Sequence, residues 1–180
     1  SQKNTDGARR VFNTGFFSIL AILFIVVIIS VGLVAFAPVL FNIPAGAESS
    51  VRKMFAFVFG AFCITTLSTS FSVTSFARNK LYLKNIFKLI DRLLRVFLVV
   101  FIFQFVKPDL WYVGLGIFAA VLISFFGDLG IWKKLTPELI ISRKFYDRGI
   151  LKKLYTFVGW HVLNIMGALM YLQSDPIILN

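Results

Sequence analysis

The sequence predicts an all-α fold, a polytopic bundle of about five transmembrane helices, and three observations carry that prediction. First, 58% of the 180 residues are hydrophobic, 22 of them Phe, and the mean hydropathy is +0.85. A domain whose surface meets water is far less apolar. Second, the apolar residues gather in five long runs, each close to the roughly 20 helical residues that cross a hydrocarbon core about 30 Å thick. Third, 19 Lys and Arg face only 8 Asp and Glu, and the basic residues fall mainly in alternate connections. In an apolar chain such an excess points to anionic lipid rather than nucleic acid.

The runs are Gly15–Val39, Met54–Ala77, Ile86–Val106, Trp111–Trp132 and Leu154–Leu172. They are long and nearly unbroken, so helices satisfy their backbones in lipid, whereas a barrel needs short alternating strands. The first run contains Ala35-Phe36-Ala37, the pattern of a leader cleavage site. A leader's apolar region is only about 7–15 residues, and four further runs follow, so it reads as a span.

The second run is rich in hydroxyls: Thr65, Thr66, Ser68, Thr69, Ser70, Ser72, Thr74 and Ser75. They surround more than one helix face, so most bond their own helix or pack against neighbours. Thr65, Thr69 and Ser72 are the subset suited to line a polar cavity. Cys63, the single cysteine, permits neither a disulfide framework nor a cysteine metal site.

The third run opens on charge. Lys88, Asp91, Arg92 and Arg95 stand at i, i+3, i+4 and i+7, which predicts one charged stripe with Asp91 and Arg95 able to pair. Two readings of it stand side by side. Either the stripe lies in the headgroups with Arg92 and Arg95 snorkelling, or it faces a water-filled cavity and offers guanidinium forks to an anion such as pyrophosphate. In the second reading Asp91 holds the arginines or exchanges a proton or cation, with Asp128 of the fourth run as a second candidate.

The fourth run also carries Gly114, Gly116, Gly127 and Gly130, which permit close helix approach. The connection Lys133–Lys153 holds Thr136-Pro137-Glu138 and then an amphipathic pattern between basic residues, which predicts a helix lying on an anionic leaflet. In the fifth run His161 and Asn164 read as makers of interhelical bonds, and Gln173, Asp175 and Pro176 as its outer end. Ser1 is not a start methionine and Asn180 follows directly on a span, so the sequence reads as an excerpt of a longer protein.

Orientation follows from the basic residues. Lys3, Arg9 and Arg10 precede the first run, Arg78 to Arg95 surround the turn into the third, and Lys133 to Lys153 precede the fifth. Arg52, Lys53 and Lys107 remain for the opposite side. Basic residues concentrate in cytoplasmic loops, which predicts a multi-pass protein of the cell membrane with a cytoplasmic N-terminus and an outside C-terminus. There is no Gly-rich phosphate loop and no His-Glu-x-x-His, so no enzyme, cofactor or metal is expected.

Several stretches resemble a known family. Ala77-Arg78-Asn79-Lys80-Leu81, the amphipathic start of the third run, Lys133-Lys134-Leu135-Thr136-Pro137-Glu138-Leu139, Phe157-Val158-Gly159-Trp160 and Leu172-Gln173-Ser174-Asp175-Pro176 look like the oligosaccharide flippases of polysaccharide and O-antigen biosynthesis. These belong to the multidrug/oligosaccharidyl-lipid/polysaccharide exporter superfamily. The resemblance covers the chain by pattern and spacing and implies a two-lobe exporter, of which this chain supplies about the third to seventh helices. Residues 1–132 would form most of the N-terminal lobe, 133–153 the cytoplasmic bridge and 154–180 the first helix of the second lobe.

The implied activity is alternating access that carries a polyprenyl-pyrophosphate-linked oligosaccharide outward, with the bilayer and glycan-assembly proteins as further partners and no nucleic acid. Arg92, Arg95 and Lys88 would meet the pyrophosphate, and Thr65, Thr69 and Ser72 the sugars. A multidrug exporter, a cell-wall-precursor flippase and a non-transporting scaffold are the rival readings.

Overall fold

The structure, a computed structural model, describes residues 2–41, 43, 44, 46–105 and 109–160. Four long helices dominate: α1 (Gln2–Leu40), α2 (Glu48–Ala77), α3 (Leu81–Phe105) and α4 (Trp111–Leu135). A 3₁₀ turn at Arg143–Phe145 and a helix, α5, over residues 148–160 complete the described chain, which contains no strand. α1, α2 and α4 are each long and apolar enough to cross a membrane. α3 has the same length as α4, 25 residues, but Lys84, Lys88, Asp91, Arg92 and Arg95 all fall between its start and Arg95, and it lies outside that set. The fold is an all-helical membrane bundle.

α1, α2 and α3 begin earlier than their apolar runs. α1 is helical from Gln2, so the polar stretch before Gly15 is helix and not loop. Its 39 residues make it about 58 Å long at 1.5 Å per residue, well beyond one hydrocarbon thickness. α2 starts at Glu48, whose carboxylate in the first turn suits the positive end of the helix dipole. Backbone hydrogen bonding does not stop where hydrophobicity does, so burial in lipid sets the core of each helix and local chemistry its ends.

The described residues form two compact units, 19–140 and 2–18 with 141–160. In the larger unit α4 packs most extensively on α2, next on α3, and α2 scarcely touches α3. α2 and α4 run parallel. At one end Ser50 Oγ donates to Asp109 Oδ2 (3.0 Å) and Lys53 lies 5.6 Å above the Trp111 ring. At the other, Arg78 Nε donates to the Leu135 carbonyl (3.1 Å) and the same guanidinium pairs with Glu138.

Small residues make this approach geometrically allowed. A Cβ on Gly114 would sit 2.8 Å from the Met54 carbonyl oxygen, and one on Gly127 would sit 2.5 Å from Phe87. Along the same α2–α4 contact, Phe57 stacks on Trp111 and Phe71 packs on Phe125 and Trp132.

The turn from α2 to α3 closes as a Schellman motif. Lys80 N–H reaches the Ser75 carbonyl (2.8 Å), Asn79 N–H reaches Phe76 (3.0 Å), and Asn79 takes φ of 53°. Asn tolerates that left-handed geometry better than most residues, which lets antiparallel α3 turn back along α4 within three residues.

In the smaller unit the segment before α5 is fastened to α1. Asn13 and Thr14 are fully buried. Asn13 Oδ1 accepts from Ser142 N–H (2.7 Å) while its amide donates to the Arg9 carbonyl (2.8 Å). Thr14 Oγ1 accepts from Asp147 N–H (3.1 Å), and Arg10 approaches the Asp147 carboxylate at 3.6 Å.

The amphipathic helix expected over Lys133–Lys153 is not formed. α4 ends at Leu135, residues 136–142 are irregular, and α5 starts at 148. Pro137 removes an N–H and bars the helical conformation for Thr136, which takes φ −138° and ψ 63°. Asp147 then caps α5, its Oδ1 accepting from Gly149 N–H (2.7 Å) and Ile150 N–H (3.3 Å).

Two predictions follow from these contacts. Gly114→Leu should lower stability by about 1–3 kcal/mol through overpacking between α2 and α4, whereas Gly130→Ala, which meets nothing within 4 Å, should be tolerated; thermal unfolding in detergent reads both. The amide bonds from Ile150 and Gly149, helped by Arg10, hold the Asp147 carboxyl below its ordinary range. A depressed carboxyl stabilises above the ordinary Asp value and loses that contribution as pH falls through its folded value. Amide-exchange protection at Gly149 and Ile150 should therefore drop below about pH 4, and Asp147→Asn should abolish the pH step.

Candidate functional site

A cavity of about 250 Å³ opens between α2, α3 and α4, in the half of the larger unit nearest Arg78. α2 contributes Thr65, Ser68, Thr69 and Ser72, α3 contributes Lys84, Lys88, Asp91 and Arg95, and α4 contributes Ser124 and Asp128. The opening exists because α2 and α3 both lean on α4 while barely meeting each other. Arg95 lies fourteen residues into α3 from Leu81, so the cavity reaches about 21 Å along that helix.

Ser124 and Asp128 are one turn apart on α4 and serve opposite neighbours. Ser124 Oγ donates to Asp91 Oδ1 of α3 (3.1 Å), and Ser68 Oγ of α2 donates to Asp128 Oδ2. Arg95 Nη2 meets Asp91 Oδ2 at 2.7 Å, so Asp91 is engaged on both oxygens. Its side chain is only 16% exposed against 37% for Arg95, which identifies Asp91 as the better-buried partner of the pair. Three cations thus face two carboxylates.

Two cavity hydroxyls of α2, Thr69 and Ser72, have committed their protons to their own helix. Thr69 donates to the Thr66 carbonyl (2.6 Å) and Ser72 to the Thr69 carbonyl (3.0 Å). Their oxygens keep lone pairs for a donor in the cavity, such as a sugar hydroxyl.

Seven residues singled out from the sequence come together here: Thr65, Thr69, Ser72, Lys88, Asp91, Arg95 and Asp128. Arg92 does not. It is exposed, because one residue beyond Asp91 is about 100° further round the helix. The charged stripe is therefore narrower than the i, i+4 spacing implied.

Sequence reasoning passed over Lys84 as a site residue, although it stands one turn before Lys88, and over Ser68 and Ser124. The two serines carried no spacing signal, since their partners lie on other helices. His161, Asn164, Gln173, Asp175 and Pro176 lie outside the described residues. Among the described residues no group of three or more His, Cys, Asp and Glu gathers to hold a metal ion.

Comparison with known proteins adds one likeness. Over 139 residues, 77% of the chain, 27% are identical in a protein of Bacillus subtilis (strain 168) described as the uncharacterized membrane protein EpsK. The chain is a helical membrane protein. It spans 28% of the length of that relative. No protein-family profile matches the chain, and no solved structure does.

The interhelical bonds of this membrane protein are open to test. Ser68→Ala and Ser124→Ala each leave a half-buried carboxylate short of one donor, and each should cost about 1–3 kcal/mol. Thermal unfolding of both single variants and the double variant would show near-additive losses, because the two bonds serve different helix pairs.

Proposed function

We propose that the chain belongs to a transporter of the cell membrane that moves an anionic lipid-linked sugar, a polyprenyl-pyrophosphate-linked oligosaccharide, outward by alternating access. One observation carries the reading: Lys84, Lys88 and Arg95 share a cavity with Thr65, Thr69 and Ser72 inside a bundle of membrane helices. Cations in a low-dielectric cavity are costly unless an anion uses them, and pyrophosphate supplies two phosphoryl groups for charge-assisted hydrogen bonds. Hydroxyls on the facing helix suit the sugars. The polyprenyl tail needs no pocket, since it stays among the lipid chains.

In this reading Arg78, Lys84 and the end of α4 at Lys133 and Lys134 stand on the cytoplasmic side, where the charged headgroup is taken up. The bundle is one part of a two-lobe exporter, rocking about the midplane against helices that complete the second lobe. The chain performs no covalent chemistry. Its partners are the lipid-linked oligosaccharide, the bilayer and the proteins that assemble the glycan.

A scaffold role is the second reading, favoured by one feature: Asp91, Asp128 and Arg95 already have partners within the bundle. The two readings separate in the full-length protein, expressed in cells that lack their own flippase and scored for surface glycan at matched membrane level. Lys88→Gln and Arg95→Gln should each reduce export about tenfold or more, the cost of a charge-assisted hydrogen bond. Arg92→Gln, off the cavity, should leave export within about twofold. Undiminished export in all three variants would assign the charges to the scaffold.

A further inference from the structure

We propose that Asp91 is an internal counter-ion that competes with the incoming anion for Arg95, so that the empty cavity holds its own substitute for the substrate's charge. The inference rests on the anion-transport reading and concerns how the site is regulated.

The geometry that points to it is the one-armed character of the pair. Asp91 meets Arg95 through Nη2 at 2.7 Å, while Arg95 Nε is buried and has no hydrogen-bond partner. A guanidinium satisfies a carboxylate or phosphate best by offering two N–H groups to two oxygens. Asp91 cannot do this with both oxygens, because Oδ1 is turned to Ser124 across the helix interface (3.1 Å). The edge that joins Nε to Nη2 is therefore half used.

A phosphoryl group can take both positions on that edge and replace Asp91 by a better-matched anion. The released carboxylate keeps its bond from Ser124, and Lys88 stands three residues earlier on the same helix face. No charge is left stranded on exchange. Such a pair keeps the empty cavity electrically quiet in the membrane and lowers affinity for the anion, which favours release on the far side.

Ordinary electrostatics makes a different forecast, and a double-mutant cycle separates them. The probe is geranylgeranyl pyrophosphate, with uncharged geranylgeraniol as reference, bound to the purified full-length protein in nanodiscs. Asp91→Asn should bind the pyrophosphate about three- to tenfold more tightly than the parent, the worth of a partly exposed ion pair. Arg95→Gln should bind it more weakly. In the Arg95→Gln background the Asp91→Asn gain should vanish, because Asp91 acts through Arg95.

Equal tightening in both backgrounds would overturn the proposal and reduce Asp91 to a contributor to the cavity's field. Weaker or unchanged binding by Asp91→Asn, with Arg95→Gln still impaired, would overturn it while leaving the transport reading intact. Indifference of the parent and Arg95→Gln proteins to the pyrophosphate would overturn both. Asp91→Ser, which removes the charge and keeps a hydroxyl towards Ser124, repeats the cycle if the amide variant does not reach the membrane.

Discussion

Everything in the larger unit depends on how a helix bundle in lipid accommodates ionised side chains. Hydrocarbon offers no water to solvate a carboxylate or guanidinium, so each must find a partner inside the protein or face a wet cavity. α4 solves this with two residues one turn apart. Ser124 donates outward to Asp91 on α3, and Asp128 receives Ser68 from α2. The same two bonds that solvate the carboxylates also fix the registers of α3 and α2 against α4.

That arrangement determines the shape of the site. Close approach at Gly114 and Gly127 draws α2 and α3 onto α4, and their failure to meet each other leaves the cavity. The polar groups then line the cleft because the apolar faces are consumed by packing and lipid contact. One set of residues has two places in the structure here: Asp91, Ser124 and Asp128 are interhelical fasteners and cavity walls together.

Elsewhere the chain uses polar chemistry at helix ends. Asn79 closes the Schellman turn, Arg78 covers the last carbonyl of α4, and Asp147 starts α5. Asn13 and Thr14 are buried at the border between the polar and apolar parts of α1, where they receive backbone N–H groups from the segment that precedes α5. A membrane helix cannot extend into irregular backbone without such partners, since an unpaired N–H away from water is costly.

The membrane class, the helical runs and a charged stretch at the start of α3 were legible in the sequence because hydropathy and helical periodicity are local properties, whereas headgroup and cavity remained equal readings of that stretch. Thr65, Thr69, Ser72, Lys88, Asp91, Arg95 and Asp128 could be chosen from chemistry, since charge and hydroxyls are conspicuous in an apolar run. Their assembly was not legible, nor were Ser68 and Ser124, because a single serine becomes a fastener only when another helix brings a carboxylate to it. Arg92 shows the limit most plainly. An i, i+4 spacing specifies a face about 100° wide, and only the packing of α3 on α4 decides which part of that face meets the cavity. The connection after α4 likewise read as an amphipathic helix, yet the segment before α5 is irregular and is fastened by Asn13 and Thr14, more than a hundred residues away. Composition and periodicity by themselves determined that this chain is a bundle of membrane helices with charge at one end; tertiary packing decided which charges share a space, because that depends on helix register and interhelical contact.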